Sequence, residues 1–488
     1  MRISVFAAVG SLAALSSGAA AADGGRFPSP NRVLFSPSDP NLVVARATYG
    51  ILPSHDNGSS WSYLCDDALG LPATSVDDPE IALTAGNALI AGLPAPLQGL
   101  DVSPDVGCSW SCVGGPLANQ TIADNVVRPD KPHVVLAVTS TYAASDAAVA
   151  FYNSQVFQST DDGAHWTALG NPIDPSLLVR TIDVSRADAS GNFSIYLSGT
   201  RGYGSGRTAS LLVSTDEGRT WTEHLLQVFD PATEDSVYLG GVDPTDPKRV
   251  YLRSSAAFSG GRSRLFMTTD GGGSFTTPMT FQIPEQQAID TVTGEALAFA
   301  LSPDGSKVYV GTKGDGLFVA SRAEGVFRKT SPIAVWCLAT RKQELWVCSV
   351  EASTYAIGTP FVIGVTTDDG AHFTSKLPTI ATLCGPLSCA TGTRTSLGCN
   401  ATVSGGQCQS SFDRFCQLYD VNNTCGACGS DAGLATDAAG GPSDASRVRT
   451  PSSTSSCGCA LVSSDGTGAL AAASAVAALA LGRRRKHR

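Results

Sequence analysis

Arginine and tyrosine gather at corresponding places along this 488-residue chain, and these side chains have the most to offer a ligand. Arg46 and Arg253 each stand six residues after a proline, Pro40 and Pro247, inside the strand-like runs NLVVAR (41–46) and RVYLRS (249–254). The segments that follow such runs carry Tyr49, Tyr142, Arg201, Tyr203, Arg207, Arg262, Arg264 and Tyr355. A guanidinium donates in pairs from a planar fork and so matches carboxylate or sulfate. Two of them approaching one axis would make an anion site; the alternative is that all are solvated loop residues. The ligand-binding candidates are Arg46, Tyr49, Arg201, Tyr203, Arg253 and Arg262.

Hydrolysis of a glycosidic bond asks for more, namely a pair of carboxylates flanking that bond. Glu80 and Glu295 begin strand-like runs, and Arg46, Arg253 and either Arg180 or Arg201 would complete an arginine triad, but no spacing rule ties this set together. His-Glu-x-x-His, a Walker loop, Gly-x-Ser-x-Gly and a dinucleotide fingerprint are all missing from the sequence, and its six histidines are scattered. No catalytic residue, metal ligand or cofactor is assigned.

The elements that must position these residues come from a repeat. SHDNGSSW (54–61), SPDVGCSW (103–110), STDDGAHW (159–166), STDEGRTW (214–221), TTDGGGSF (268–275) and TTDDGAHF (366–373) share Ser/Thr-x-Asp-x-Gly followed by an aromatic ring. Their aspartates are Asp56, Asp105, Asp161, Asp216, Asp270 and Asp368, spaced by 49, 56, 55 and 54 residues and then by 98, which leaves room for one more copy. SRAEGVF (321–327) is that worn copy, with Ala323 where the aspartate belongs. A carboxylate that accepts N–H bonds across a tight turn, a glycine at positive φ and a ring packed between sheets give these residues a structural part, not a catalytic one. Around each turn lie β-rich runs such as HVVLAV (133–138), KVYVGT (307–312) and ELWVCS (344–349). Units of this size cannot bury both faces alone, so they must stack.

This motif resembles the Asp-box, or BNR, repeat, and residues 27–380 resemble Asp-box β-propellers such as sialidases, sortilin-type receptors and photosystem assembly factors. The resemblance implies an all-β, seven-bladed propeller of four-stranded blades. It also implies that the boxes lie on the face opposite the loops joining second and third strands, where ligands usually bind in those families. The Phe-Arg-Ile-Pro element of sialidases is absent; GRFPSP (25–30) reverses the order of Arg and Phe.

Both ends of the chain look like addresses. Residues 1–22 place Arg2 before an apolar run ending in small residues, the layout of a signal peptide, and 14 cysteines fit an oxidising compartment. Cys337 and Cys348 face each other if the intervening turn centres on Lys342–Gln343; Cys65, Cys108 and Cys112 gather near the first two boxes. Seven cysteines crowd 381–430, a small disulfide-stapled module, one of whose members is available to Cys65. Residues 431–456 read as a flexible stalk, and 457–488 as a short apolar helix with a basic end. That tail resembles the C-terminal sorting signal of myxobacterial surface proteins, which implies cleavage and a lipid on Cys457; the alternative is a marginal tail anchor. Between the two signals, 27 basic against 42 acidic residues make nucleic acid an unsuitable partner. The expectation is an anchored surface module that recognises a glycan or protein ligand, touching the membrane through its tail or lipid. The alternatives are a secreted sialidase-type glycosidase and an assembly factor for another exported protein.

Overall fold

The computed structural model describes residues 29–71, 77–94, 97–146, 149–256, 261–282, 298–349 and 360–400. Seven antiparallel sheets surround one axis. Their inner strands are Pro30–Phe35, Glu80–Leu83, Ile122–Val127, Leu178–Val184, Glu234–Asp243, Ala298–Leu301 and Cys337–Arg341. Each packs against the inner strand of the next blade, and the seventh returns to the first. Second strands such as Val135–Thr139 are buried along their whole length, because neighbouring blades cover both faces. That is why they read as continuous apolar runs and not as alternating ones. Outer strands such as Thr222–Leu225 are mostly exposed and correspondingly polar.

The repeated turns join third to fourth strands. In blade three, Ser159 Oγ lies 2.8 Å from Asp161 Oδ1 and accepts the Gly163 N–H at 2.9 Å, while Asp161 accepts the His165 N–H at 2.9 Å. The same three bonds recur at Ser103, Ser214, Thr268 and Thr366. Asp56 does the same work for the Ser60 N–H at 2.8 Å. Glycine is needed at Gly58 for two reasons: its φ is 77°, and a Cβ there would come within 2.8 Å of Trp346 in blade seven. The residue before the glycine is also left-handed, as at Asn57 (φ 59°) and Asp162 (φ 58°), a requirement the sequence pattern did not reveal.

Blade six keeps four strands, closing with Gly316–Ser321 and Arg328–Ser331, although Ala323 has replaced the aspartate. Ser321 Oγ still accepts the Ala323 N–H at 3.2 Å, and the Gly325 N–H bonds Ser321 O at 2.9 Å. Main chain and hydroxyl therefore hold the turn without the carboxylate.

Blade one has three full strands, Pro30–Phe35, Val43–Ala47 and Gly50–Ser54. Leu64 then exchanges both backbone bonds with Ile51. Outside it the chain beyond blade seven lays down a parallel strap: Gly385 O accepts the Tyr63 N–H and Tyr63 O accepts the Leu387 N–H, both at 2.8 Å. A Cys108–Cys389 disulfide and an Arg394–Asp101 ion pair of 2.7 Å fix the strap to blade two. The cross-strand disulfide Cys337–Cys348 forms in blade seven, and Cys65 and Cys384 are also disulfide-bonded. Residues 1–22, read above as a signal peptide, the region 401–430, residues 431–456, read as a stalk, the tail with Cys457, and Glu295 and Tyr355 lie outside the described residues.

Candidate functional site

A cavity of about 830 Å³ opens along the axis, lined by inner strands and the ends of second strands. Arg32, Glu80 and Asp124 occupy the same place in three successive inner strands, each three residues before the strand ends at Phe35, Leu83 and Val127. They therefore meet at one level. Glu80 Oε2 is 2.7 Å from Arg32 Nη1 and 2.8 Å from Arg46 Nη1, and Arg32 Nη1 is 3.5 Å from Asp124 Oδ1. Arg46 reaches the axis from the second strand of blade one, directly across from Arg32, and donates further bonds to Asn31 Oδ1 at 2.8 Å and Pro79 O at 3.0 Å.

Burial opposes every charge in this cluster, and neighbours decide the outcome. Arg46 is raised because Glu80, Asp78 and Asp124 outweigh its desolvation. Glu80 stays below the ordinary carboxylate value because Arg46 and Arg32 overcome its burial. Asp124 is pushed up to about 7, chiefly by burial. Asp183, on the inner strand of blade four, is pushed up to about 6 for the same reason. Burial pulls Arg253 below the usual arginine value.

Both aspartates also hold the ring together. Asp124 Oδ2 accepts the Ile182 N–H at 3.1 Å, and Asp183 Oδ2 accepts the Val242 N–H at 3.0 Å, so each carboxylate satisfies the inner edge of the following blade. The opposite wall is apolar, formed by Leu239, Phe299, Trp336 and Leu338, with Lys313 Nζ 3.0 Å above the Trp336 ring.

Arg180 stands apart from the other cavity arginines. Its hydrogen bond runs from Nη2 to Ser236 Oγ at 3.1 Å; its Nε is buried without an acceptor, and no carboxylate pairs with it among the described residues. It lines the axial cavity and also a smaller pocket of about 180 Å³ beside it, which contains Tyr203 and Arg207.

The structure thus brings Arg46 and Arg253 to one cavity and Tyr203 to its edge. Tyr49 is buried in blade one, stacked on Tyr63 with ring centroids 6.4 Å apart. Arg201 pairs with Asp174 at 3.0 Å and with Glu223, outside both cavities. Arg262 is exposed and begins a third strand, and Arg264, on the same strand, is paired with buried Glu234. Arg32, Asp124, Asp183, Tyr152 and Trp336 escaped sequence reasoning. The available signal was a charge at an equivalent point of three first strands. The six turn aspartates line neither of these two cavities; Asp161 and Asp368 bond His165 and His372. Among the described residues no group of three His, Cys, Asp or Glu is placed to hold a metal ion.

These features define a seven-bladed β-propeller with a charged axis. No family model and no curated protein matches the sequence. Among solved structures, the chain is similar to the GH74 enzyme of Niastella koreensis at 13% identity, covering 73% of each chain with a TM-score of 0.30. It is similar to YCF48 from Cyanidioschyzon merolae at 15% identity, covering 66% of this chain and 92% of that one, TM-score 0.41. A third is the α-L-arabinofuranosidase Arb93A of Fusarium graminearum, at 15% identity over 55% and 86%, TM-score 0.35.

Proposed function

We propose that this chain is an Asp-box propeller acting as a non-enzymatic recognition module, which binds an anionic glycan at its axial cavity and is displayed on the cell surface. The observation that supports it is Arg180, a half-buried guanidinium at the cavity wall held by one neutral hydroxyl. Arg32 and Arg46 already share Glu80 as an ion-pair partner, so a carboxylate or sulfate finds its uncommitted fork at Arg180. Display rests on the sequence of residues 1–22 and on the tail with Cys457, whose cleavage and lipid a mass spectrum of the mature protein would reveal. A glycan array probed with the full chain tests the binding. Carboxylated or sulfated glycans should be retained, and Arg180→Gln should weaken them at least tenfold. Indifference to that substitution, or retention of neutral glycans alone, overturns the reading.

A second reading, a glycoside hydrolase, draws on one feature: Asp124 and Asp183, pushed up to about 7 and about 6, would hold protons near neutral pH as a general acid must. Their oxygens are engaged by main-chain N–H groups, which favours the binding module. Hydrolysis of a fluorogenic sialoside, abolished by Asp124→Asn, would reverse that preference.

A further inference from the structure

The pocket beside the axis has a different character from the cavity it adjoins. Its walls are Tyr152, Tyr203, Arg207, Asp235, Ser236 and Arg180, and Arg180 faces both volumes. Arg207 and Asp235 form an ion pair of 2.8 Å, so away from Arg180 the pocket's charges cancel and that side offers both donors and acceptors. Hydroxyl groups suit such a surface better than a second anion does.

The rings are placed for contact with solvent. Tyr142 is 59% exposed and Tyr203 52%, and they are the two aromatic side chains among the strongly exposed large apolar ones of the described residues. Blade three inserts the hairpin Thr141–Ser145 and Ala150–Asn153 here, and the Tyr152 N–H bonds Pro175 O at 2.7 Å, pinning it to the segment that leads into blade four. Tyr142 stands edge-on to Tyr152 with centroids 6.2 Å apart, and its hydroxyl bonds Ser145 Oγ at 2.9 Å. Of the two pocket rings, Tyr152 is fixed in this way and loses little entropy on binding, while Tyr203 offers the exposed face; the flat apolar faces of both match the C–H face of a pyranose. A volume of about 180 Å³ is below the roughly 300 Å³ at which pockets for whole small molecules begin, so it accepts one ring and not a complete ligand.

We infer that this pocket is a second sugar subsite, and that the ligand is a linear oligosaccharide in which an acid-bearing residue at Arg180 is followed by a neutral residue against Tyr152 and Tyr203. The inference rests on the anion reading of Arg180 and adds the neighbouring ring and its lack of charge.

The test is calorimetric titration of the full chain with glucuronic acid and with hyaluronan di-, tetra- and hexasaccharides, whose acidic and neutral residues alternate. Trigalacturonate, acidic throughout, is the comparison. The tetrasaccharide should bind at least tenfold tighter than glucuronic acid and tighter than trigalacturonate. Tyr203→Ala should erase that gain without changing glucuronic acid affinity or Tm, and Tyr203→Phe should keep it. If the oligosaccharides gain nothing over an Arg180-dependent glucuronic acid, or if trigalacturonate binds best, the subsite is overturned and the axial reading stands. If no probe binds, or if Arg180→Gln leaves all of them unaffected, both fall.

Discussion

Glu80→Gln removes one negative charge from between two guanidiniums, so it separates what the axial cluster does for the ring from what it does for a ligand. Glu80 lies 2.7 Å from Arg32 and 2.8 Å from Arg46, and the three side chains are 28%, 29% and 13% exposed. Breaking a fully buried pair costs about 3–5 kcal/mol and an exposed one almost nothing. This half-buried site, where glutamine keeps a carbonyl acceptor, should lose about 2 kcal/mol, a Tm drop of roughly 3 °C for a propeller of this size. For an anion bound roughly 6 Å away, deleting the carboxylate relieves about 3 kcal/mol of repulsion at an effective dielectric of 20, and salt screens about half of that. Affinity for glucuronic acid should therefore rise about tenfold near 0.15 M salt and toward a hundredfold at low salt, the gain shrinking as salt is added. Differential scanning calorimetry and titration at two ionic strengths read the two effects. A variant that is less stable and also binds anions more weakly would refute the idea that Glu80 masks Arg32 and Arg46. It would point to Glu80 as a direct ligand contact or an acid in catalysis.

Three other outcomes are expected. The Cys108–Cys389 bridge closes a loop of 281 residues; chain entropy alone assigns it at most about 6 kcal/mol, so the double serine variant should unfold at clearly lower denaturant, and an unchanged midpoint would mean the strap holds without it. Asp124, with a folded pKa of about 7 against an ordinary 3.8, binds its proton more tightly when folded. Its contribution is present below about pH 4 and is lost as pH rises toward 7, so Asp124→Asn should gain on the wild type between pH 4 and 8 in a stability–pH series, and parallel curves would refute it. Asp216, held at about 2 by the Thr220 hydroxyl and N–H, acts in the opposite sense, and Asp216→Asn should blunt the loss of stability as pH falls below about 4.

The ring was legible in the sequence because its turn chemistry is local. Ser159, Asp161 and Gly163 carry the turn with hydrogen bonds to residues no more than four positions away, so the pattern shows in a short window. Even the worn copy betrayed its blade through spacing, since the Ser321 hydroxyl and the backbone suffice there. The site was less legible because its partners are far apart in the chain. Arg46 looked like a free fork until Glu80, 34 residues on, was seen to neutralise it. Arg201 was a candidate third arm beside Arg46 and Arg253, yet it pairs with Asp174 and Glu223, outside the axial cavity. Arg32 was invisible because a charge within a first strand makes sense only when three blades converge.

The convergence explains why polar groups are tolerated at the axis at all. An inner strand has no further strand to pair with, so its inward N–H groups need acceptors. Asp124 supplies one for Ile182, Thr181 one for Leu239 at 2.8 Å, and Asp183 one for Val242, each reaching across to the next blade. A residue placed there to satisfy the backbone also projects charge into the cavity, and arginines then collect to balance it. Leu239, Phe299 and Trp336 keep the opposite wall apolar. The axis is consequently polar on one side and apolar on the other, which is the division that a sugar ring, with its hydroxyl rim and C–H face, presents in return. Arg180 lies on the polar side with no carboxylate paired to it among the described residues, which is the feature on which the proposed anion site rests.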